Sequence, residues 1–435
     1  MAPVPERSRT ARNRALREGS GKPSAFPTVA VVFLVGLLLM LTGSRTVSRP
    51  EVVGAPAGGT APAKPAAPAR TKPAAPARTK PAAPARTKPA APAAAAPAAA
   101  GFTLVASGDV LPHTPLVARA KAYGASSGRS YDFRPMFSAI KPIVSAADLA
   151  VCHIETPLSP TGRNLSGYPV FNGPPQIAAA VRDSGYDACS TASNHSLDQG
   201  PQGVSGTLRV LDGAGLRHAG IARSPREDQP TLLSVKGVRV AILSYAYGFN
   251  GRHLPPGQPW RANLIDPARI LADARGARRA GSRFTIVFLH WGQEYRTAPT
   301  PEQLRVARQL LADPSVDLIL GHHAHVVQPA RRIDGKWVAF GMGNLLSAQS
   351  AACCPANTQD GVIVQAKVVR QVDRYVVADL RYVPTWVQHP SYRVLPVIQS
   401  LARGRLDAQT RAALATSLRR TEAAMGPEVR PAPEA

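Results

Sequence analysis

The sequence predicts an α/β fold for the part of the chain after residue 100, and three observations support this class. Short apolar runs, almost uninterrupted by polar residues, are separated by stretches in which apolar residues have helical spacing. Strands that are buried on both faces and covered by helices have this composition. Each run also ends in polar residues, which places them at the carboxyl end of a strand, where open α/β folds build their sites.

The predicted strands follow one another along the chain as FTLVASGD (102–109), ADLAVCHIE (147–155), DACSTASNH (187–195), VRVAILSY (238–245), RFTIVFLHWG (283–292), VDLILGHHAH (316–325) and KWVAFGMGN (336–344). Helices are predicted between several of them, at PPQIAAAVRDSG (174–185), GVSGTLRVLDGAG (203–215) and PEQLRVARQLLAD (301–313). Beyond residue 361, VIVQAKVVR and YVVADLRYVP predict an antiparallel pair. The predicted boundaries are 101–395 for one large domain and 396–435 for a C-terminal helix (396–425) and a frayed tail.

The composition separates the chain into unlike parts. The chain has 52 Lys or Arg against 27 Asp or Glu, a formal net charge of +25, with 43 Pro and 6% aromatic residues. These values exclude a coiled coil, a disulfide-stapled miniprotein and a multi-span membrane protein. Residues 1–100 carry 15 of the basic residues and only three Glu, so almost half of the excess positive charge precedes the predicted domain.

Residues 26–43 are uncharged and contain the run VAVVFLVGLLLML. Eighteen helical residues span about 27 Å, close to the ~30 Å hydrocarbon thickness of a bilayer. The preceding tail, 1–25, is basic, which predicts a single-pass membrane anchor with a cytoplasmic tail and an extracytoplasmic C-terminal domain. A cleaved secretory signal and a buried core helix are the alternatives. Neither a small-x-small cleavage site nor a Cys follows the run, which favours the anchor.

Residues 44–100 form a linker rich in Ala, Pro and Lys, in which TKPAAPAR repeats with Lys64, Lys72, Lys80 and Lys88 in register. Because it has no large apolar side chains to bury, this linker is predicted to be disordered and extended. Its simplest role is a spacer, and the alternative is that its evenly spaced cations contact anionic lipid or cell-wall polymer. Nucleic acid is not a predicted partner, because aromatic residues do not interleave with the positive charges.

The four cysteines all follow the predicted anchor, so disulfides are permitted. Cys152 and Cys189 lie in apolar runs and are predicted to be small core residues. Cys353 and Cys354 are adjacent in a predicted loop, and adjacent cysteines bridge each other only with strain. They are therefore predicted to be free thiols or to bond to other partners.

Metal-ligating residue types collect at the predicted strand ends. They are Asp109, Glu155, Asn194, His195, His290, His323 and His325. Oxygen and imidazole ligands without thiolate suit Mn, Fe or Zn, and a shared carboxylate allows one or two ions. In the Asn194-His195 pair, the amide oxygen can bind a cation while the imidazole protonates a leaving oxygen. Asp198, three residues further on, is predicted to orient that imidazole.

Each of these signals also has an ordinary structural explanation. A Gly-Asp pair is a common turn, an Asn-His pair is a common cap, and His290 on an apolar strand is usually a core residue. The cluster of His322, His323 and His325 is more specific, because three histidines in four residues rarely serve packing. The common position at strand ends is what favours a metal site.

The sequence is similar to a known family over stretches that occur in a fixed order: SGDV (107–110), ADLAVCHIETPLS (147–159), STASNHSLDQG (190–200), FLHWGQEY (288–295), VDLILGHHAHVVQP (316–329) and FGMGNLL (340–346). These stretches resemble the calcineurin-like metallophosphoesterases, and among them the CapA-type capsule synthesis proteins, which are linked to poly-γ-glutamate. The resemblance implies a four-layer α/β/β/α sandwich and a divalent-metal site. It implies as ligands Asp109, Glu155, Asn194, His290, His323 and His325. It also implies His195 as the catalytic acid and Glu294, Tyr295 and Asn344 as substrate contacts, with packing as the alternative for Tyr295.

The sequence departs from the metallophosphoesterase pattern at two places. The usual Asp-x-His start is absent, since Asp109 is followed by Val110 and the nearest histidine is His113. The bridging carboxylate, usually Asp, is Glu155, and His153 stands where the CapA-type branch commonly has Asn. One or two bound ions are both compatible with these changes, and His113 or His153 is the predicted replacement ligand.

The predicted function is that of a membrane-anchored, extracytoplasmic protein acting on an anionic envelope polymer, such as poly-γ-glutamate, by metal-assisted hydrolysis. Other capsule-synthesis membrane proteins are predicted partners. Two alternatives stay open. One is a non-catalytic component that binds, exports or tethers the polymer through its positive charge. The other is cleavage or transfer at an amide bond, for which the sequence shows no nucleophile.

Overall fold

The computed structural model describes residues 101–433. The predicted tail (1–25), transmembrane anchor (26–43) and linker (44–100) lie outside these residues. Within 101–433, none of the helices is both long enough and apolar enough to cross a bilayer.

The strands of residues 101–433 form two mixed sheets. In chain order they are β1 (Gly101–Val110), β2 (Leu149–Ile154), β3 (Ala188–Ser190), β4 (Arg217–Ala219), β5 (Thr231–Val235), β6 (Val238–Ala246), β7 (Phe284–His290), β8 (Leu318–His322), β9 (Ala330–Ile333), β10 (Lys336–Ala339), β11 (Asn344–Leu346), β12 (Asp360–Gln371), β13 (Arg374–Gln388), β14 (Arg393–Pro396) and β15 (Arg430–Pro431). The larger sheet has the order β14-β13-β12-β1-β2-β3-β4, with β11 added to β1 and β15 to β13. The smaller sheet has the order β5-β6-β7-β8-β10-β9.

Each sheet has a parallel centre. Strands β1, β2, β3 and β4 run parallel in the larger sheet, and β6, β7, β8 and β10 run parallel in the smaller one. Strand β12 is antiparallel to both β1 and β13, so the antiparallel pair predicted beyond residue 361 is confirmed and extends the larger sheet. Since parallel strands end at the same edge, the polar residues that follow them collect there.

Helices connect the strands and cover the sheets. They are α1 (Thr114–Ala125), α2 (Arg134–Phe137), α3 (Lys141–Ser145), α4 (Gln176–Asp183), α5 (Gly200–Gly213), α6 (Pro267–Arg279), α7 (Pro301–Leu311), α8 (Val397–Arg403) and α9 (Ala408–Met425). The start of α7 shows how the sequence specifies such an element. Thr300 and Gln303 form a capping box, in which each side chain accepts from the backbone N–H of the other, and Pro301 begins the helix.

The inner faces of the two sheets pack against each other. Phe102 of β1 and Phe284 of β7 meet edge to face at 5.7 Å between ring centroids, within a buried cluster that draws on both sheets. The outer face of the larger sheet packs on helix residues such as Leu116 and Ile177. The outer face of the smaller sheet packs on α6 and α7 through residues such as Leu310. The layers therefore follow the order α/β/β/α, and the predicted α/β class is confirmed.

A close backbone approach joins β1 to the segment that leads into β11. A Cβ on Gly108 would lie 2.1 Å from the carbonyl oxygen of Gly343, so a side chain has no room there. The Asp109 amide donates to that same oxygen at 2.9 Å. The approach pairs Asp109 with Asn344 in register and thereby brings two distant parts of the sequence to one point.

The predicted single helix over 396–425 is interrupted. Helix α8 ends at Arg403, and α9 begins after Asp407, whose side chain accepts from the Thr410 amide at 2.7 Å. Aspartate is among the strongest N-cap residues, so Asp407 starts a new helix.

The C-terminal segment is ordered up to residue 433, the last residue that the structure describes. Strand β15 pairs with β13, and the Ala432 amide donates to the Tyr382 carbonyl at 2.7 Å. Val429 is buried next to the core between the sheets. The expectation of a frayed tail was wrong for these residues, because an apolar side chain and an open sheet edge both find partners.

The structure also corrects the expectation for two cysteines. Cys152 and Cys189 form a disulfide rather than standing as free core thiols. They are directly paired on the neighbouring parallel strands β2 and β3, with Cα atoms 4.4 Å apart. Register between distant strands decides this bond, and composition does not reveal register. Cys353 and Cys354 carry no disulfide.

Candidate metal centre

The polar strand ends of both sheets meet at one place. From the larger sheet come side chains near or after the ends of β1, β2 and β3, and from the smaller sheet come side chains at or after the ends of β7 and β8. Every one of the predicted metal ligands is buried: Asp109, Glu155, Asn194, His290, His323 and His325. Charged and polar groups are rarely buried together without partners, so their contacts indicate what the site can do.

Asp109 lies at the centre of the cluster. One carboxylate oxygen accepts from the Nδ1 of His322 at 2.5 Å. The other accepts from the His323 backbone amide at 3.1 Å and lies 3.4 Å from the Nδ1 of His325. Burial opposes ionisation of Asp109, but His322, together with His325 and His153, outweighs it and holds the pKa of the carboxyl well below its usual range. Asp109 is therefore an anion, the form in which a carboxyl group binds metal.

Glu155 is a buried carboxylate without a hydrogen-bond partner. Its Oε1 lies 3.7 Å from the Nε2 of His290 and 3.8 Å from the Nε2 of His325, beyond hydrogen-bonding distance. Burial raises the pKa of Glu155 well above its usual range. Burial alone would lower the pKa of His325, but the carboxylates of Glu155 and Asp109 raise it to about 9.

The buried atoms without partners fit a bound cation. They include both carboxylate oxygens of Glu155, the Nδ1 of His323 and the Nε2 of His322. Leaving such groups unpaired in the interior costs free energy, about 1–3 kcal/mol for each neutral group and more for a charged one. A divalent cation coordinated by carboxylate and imidazole would satisfy several of them at once.

Two overlapping groups of ligand atoms have the compactness of metal sites. Asp109, His153 and His290 form one group, and Asp109, Glu155 and His325 form the other, with the ligand atoms of each group within 4.8 Å of one another. Asp109 belongs to both groups, which is the geometry expected of a carboxylate shared between two ions. Of the two histidines predicted as replacement ligands, the structure brings His153 into the cluster.

His113 lies apart from these groups. Its Nδ1 is 3.2 Å from the Leu111 carbonyl oxygen, and its ring packs edge to face on Phe171 at 5.2 Å. Burial lowers the pKa of His113 to about 4, so its imidazole is neutral. Its contacts make it part of the wall of the site.

A directed chain of hydrogen bonds links the deeper residues. Ser190 donates to the Nδ1 of His153 (2.8 Å), the Nε2 of His153 donates to the Nδ1 of His290 (3.1 Å), and the Nε2 of His290 donates to the amide oxygen of Asn194 (2.8 Å). This chain requires one proton on each imidazole. Burial lowers the pKa of His153 and of His290 well below the usual range, which keeps both rings neutral, the form in which an imidazole binds metal. A bound cation would take the place of one hydrogen bond of each ring that ligates it.

His195 and Asp198 form a buried pair beside the cluster. The Nδ1 of His195 donates to the Oδ2 of Asp198 at 2.8 Å, and that oxygen also accepts from the Phe171 amide at 2.8 Å. The Phe171 ring packs edge to face on the imidazole, with 4.7 Å between centroids. These contacts fix the ring plane and the tautomer of His195 and leave its Nε2 available for proton transfer.

The loop residues of the site have strained backbones. His323, His325 and Tyr295 have φ angles of 86°, 55° and 66°, which non-glycine residues adopt only at a cost. The Tyr295 amide donates to the Ala324 carbonyl at 2.8 Å, which connects the two strained loops. Such outliers persist where surrounding contacts enforce them, and they cluster at functional sites.

The predicted substrate contacts occupy two kinds of position. Glu294 and Tyr295 are exposed, and the Tyr295 ring lies 6.3 Å from the His325 ring, at the mouth of the site. Asn344 is fully buried and accepts from the Nδ1 of His325 at 3.1 Å, while it donates to Gln349 and to the Thr358 carbonyl at 2.9 Å each. Asn344 supports His325 from behind, and a direct contact with substrate stays a prediction that this position does not favour.

Sequence reasoning missed several residues of the site. One is His322, which is hydrogen-bonded to Asp109. Two more lie in the loop after β6. The Tyr247 ring lies 4.5 Å from the His323 ring, and the Asn250 side chain is hydrogen-bonded to Asn194. The cluster of three histidines within four residues did mark His322 as unusual. The Asn-Gly pair at 250–251 is a turn signal, and nothing in its pattern indicates a metal site.

The fold and the site together define an α/β protein with a carboxylate–histidine centre, suited to a divalent cation, at the shared edge of two packed sheets. A family model described as bacterial capsule synthesis protein PGA_cap matches residues 103–349. This match covers more than half of the chain, and the chain belongs to that family.

Curated relatives agree with this membership. The chain is 26% identical over 194 residues to the capsule biosynthesis protein CapA of Bacillus anthracis, covering 44% of this chain and 46% of the relative. It is 26% identical over 241 residues to the PGA biosynthesis protein CapA of Bacillus subtilis, covering 53% and 60%. The chain thus spans about half the length of the curated relatives it matches.

Solved structures that align with the chain include a 5′-nucleotidase precursor from Thermus thermophilus, at 16% identity and a TM-score of 0.40, over 73% of this chain and 58% of that one. The calcineurin-like phosphoesterase YfkN from Bacillus subtilis aligns at 12% identity and a TM-score of 0.41, over 74% of this chain and 96% of that one.

Proposed function

We propose that this chain is a metal-dependent hydrolase of the cell envelope that acts on an anionic polymer of the poly-γ-glutamate type or on a phosphorylated intermediate of its synthesis. Membership of the capsule synthesis family supports the biological setting. The observation that carries the chemical part is Glu155, a buried carboxylate with no hydrogen-bond partner, facing Asp109, His290 and His325.

The residues divide the chemical work between them. A bound divalent cation supplies Lewis-acid chemistry, which polarises a phosphoryl oxygen and makes water a stronger nucleophile. Asp109, Glu155, Asn194, His290, His323 and His325 would hold it, with His153 as the replacement ligand. His195, oriented by Asp198, holds a proton on its Nε2 for the leaving oxygen, and the buried position of the pair excludes competing water.

The experiment uses the full-length chain with Mn²⁺ and a chromogenic phosphodiester. Binding is measured by calorimetry and turnover by absorbance, for the wild type, Glu155→Gln and His195→Ala. Glu302→Gln on α7 is the matched control, because this glutamate is exposed and pairs only with Arg305. We expect Glu155→Gln to lose Mn²⁺ binding. We expect His195→Ala to keep Mn²⁺ binding, with a turnover rate lowered about 10²-fold or more. A wild type that neither binds Mn²⁺ nor cleaves the diester contradicts it.

A second candidate function is binding without hydrolysis, in which the protein retains or exports the polymer. The formal net charge of +25 favours it, since an excess of positive charge attracts a polyanion. Retention of poly-γ-glutamate that falls with rising salt and is unchanged in His195→Ala would support this role. Retention that requires Mn²⁺ and the intact centre would support the hydrolase instead.

The membrane anchor and the outward orientation belong to the same proposal. They rest on the uncharged stretch 26–43 and the basic tail before it. Fractionation of cells that express the full chain, followed by protease treatment of spheroplasts, tests both. We expect the chain in the membrane fraction and its C-terminal part accessible to protease from outside. Other capsule-synthesis membrane proteins are the proposed neighbours there.

A further inference from the structure

A tight turn after β6 stands against the candidate metal centre. The Arg252 amide donates to the Phe249 carbonyl at 2.9 Å, which closes the turn. Asn250 and Gly251, its two central residues, have φ angles of 49° and 74°. Positive φ at both central positions is the type I′ geometry, for which Asn-Gly is a preferred sequence. The turn is therefore specified locally, by the residues that form it.

The turn touches both members of the Asn194-His195 pair. The Oδ1 of Asn250 accepts from the Nδ2 of Asn194 at 3.2 Å, and the Nδ2 of Asn250 lies 3.5 Å from the Nδ1 of His195. Arg252, two residues on, lies 3.9 Å from Asp198 between Nε and Oδ1. Three side-chain contacts from one short loop thus reach residues to which the proposed function assigns metal binding and proton transfer.

The contact with Asn194 has a direction. A primary amide has a donor end and an acceptor end of nearly equal size, and only its oxygen is a good ligand for a cation. Because its Nδ2 is engaged by Asn250, the Oδ1 of Asn194 faces inwards, 2.8 Å from the Nε2 of His290. With the Asn250 amide kept as it is, rotating the Asn194 amide by half a turn would set two acceptor oxygens against each other at Asn250 and two N–H donors against each other at His290.

We infer that Asn250 is a positioning residue that holds the amide oxygen of Asn194 towards the bound cation. The inference rests on the proposed function of this cluster as a metal centre. The side-chain contacts of Asn250 are with Asn194 and His195, and not with the metal-binding groups of Asp109, Glu155, His290 or His325, so Asn250 acts on the cation through Asn194. Groups that orient metal ligands in this way typically change metal affinity about 10–100-fold when they are lost.

The first test is Asn250→Gly in the full-length chain, with Mn²⁺ affinity measured by calorimetry. Glycine accepts positive φ, so the turn is kept and only the side chain is removed. We expect affinity to fall about tenfold. Asp334→Gly is the matched control, because Asp334 and Gly335 have φ angles of 50° and 77° in the turn between β9 and β10, at the far end of β10 from Asn344. It should leave Mn²⁺ affinity unchanged.

Two further variants separate orientation from a merely structural role. Asn250→Asp keeps an acceptor oxygen and tolerates the same backbone, so it should restore affinity to within about threefold of the wild type. In an Asn194→Asp background the ligand has two equivalent oxygens and needs no orientation, so adding Asn250→Gly should then change affinity less than twofold.

The outcomes are distinct. Equal Mn²⁺ affinity in wild type and Asn250→Gly, or an equal loss in the Asn194→Asp background, would overturn the inference and leave the proposed function standing. A wild type that binds no Mn²⁺ would overturn both.

Discussion

The Nδ1 of His195 donates a 2.8 Å hydrogen bond to Asp198, and the two side chains are only 7% and 2% exposed. A buried carboxylate bonded to one ring nitrogen fixes the proton there and leaves the other nitrogen for chemistry. We therefore expect Asp198→Asn and His195→Ala to lower phosphodiester turnover by similar factors, roughly 10²-fold each, with Mn²⁺ affinity little changed. The double variant should be no slower than either single one, because the residues act as a unit. A double variant whose loss of turnover equals the product of the two single losses would show that His195 and Asp198 act separately.

Metal should stabilise the fold through Glu155. At a free Mn²⁺ concentration of 100 Kd, a cation that binds only the folded chain adds about 2.7 kcal/mol to the free energy of unfolding. In Glu155→Gln this gain should disappear, while the metal-free protein should become more stable. The buried, unpaired Glu155 must either stay charged or bind a proton at a cost in free energy, as its raised pKa indicates, and a neutral amide avoids both. Urea denaturation with and without Mn²⁺ measures both effects. A metal-free Glu155→Gln protein that is less stable than the wild type would mean that Glu155 is stabilised by contacts within the protein.

The Cys152–Cys189 disulfide should contribute to stability. It joins residues 37 positions apart, and a crosslink of this kind typically adds about 2–4 kcal/mol to the free energy of unfolding. Replacing both residues by Ser should lower the unfolding midpoint in urea, and a reducing agent should lower the wild-type midpoint in the same direction. The matched control is the Ser double variant of Cys353 and Cys354, which carry no disulfide. Equal effects of the two double variants would argue against the bond.

Asp317 should make stability depend on pH. Burial raises its pKa to about 6, although Arg278 and the Thr285 amide oppose the shift. Since the folded-state pKa is above the ordinary value, the folded chain binds this proton more tightly. The contribution of this bound proton to the free energy of unfolding is complete below about pH 4 and is lost as pH rises through 6.

The test compares Asp317→Asn with the wild type, so that other titrating groups cancel. Relative to the wild type, the variant should gain up to about 3 kcal/mol between pH 4 and 7. Urea midpoints at several pH values between these limits provide the measurement. A difference that does not vary with pH would show that the carboxyl titrates equally in the folded and unfolded chain.

Local sequence patterns predicted the elements well where one short segment carries the whole signal. The apolar runs at 284–290 and 318–322 are strands, and Pro301–Leu311 is a helix with its own capping box. Polar residues at the ends of the predicted strands identified Asp109, Glu155 and His290 as site candidates, because a parallel sheet collects such ends at one edge. The interruption at Asp407 was missed because helical spacing of apolar residues on both sides outweighed one capping residue in the pattern.

Specific contacts between distant segments could not be predicted from the sequence. The Cys152–Cys189 bond depends on the register of β2 against β3, and the position of Asn344 behind His325 depends on the approach of Gly108 to Gly343. Asn250 gave a turn signal only, because its bond to Asn194 spans 56 residues.

The sequence by itself determined the α/β class, the succession of strands and helices, and the chemical types gathered at the strand ends, since each of these follows from side chains close together along the chain. Tertiary structure alone decided that His153 joins the cluster in place of His113, that Asp109 lies in both ligand groups, and that Glu155 has no partner. The reason is that coordination depends on distances of a few ångströms between atoms of separate strands, and these are fixed only when the two sheets pack.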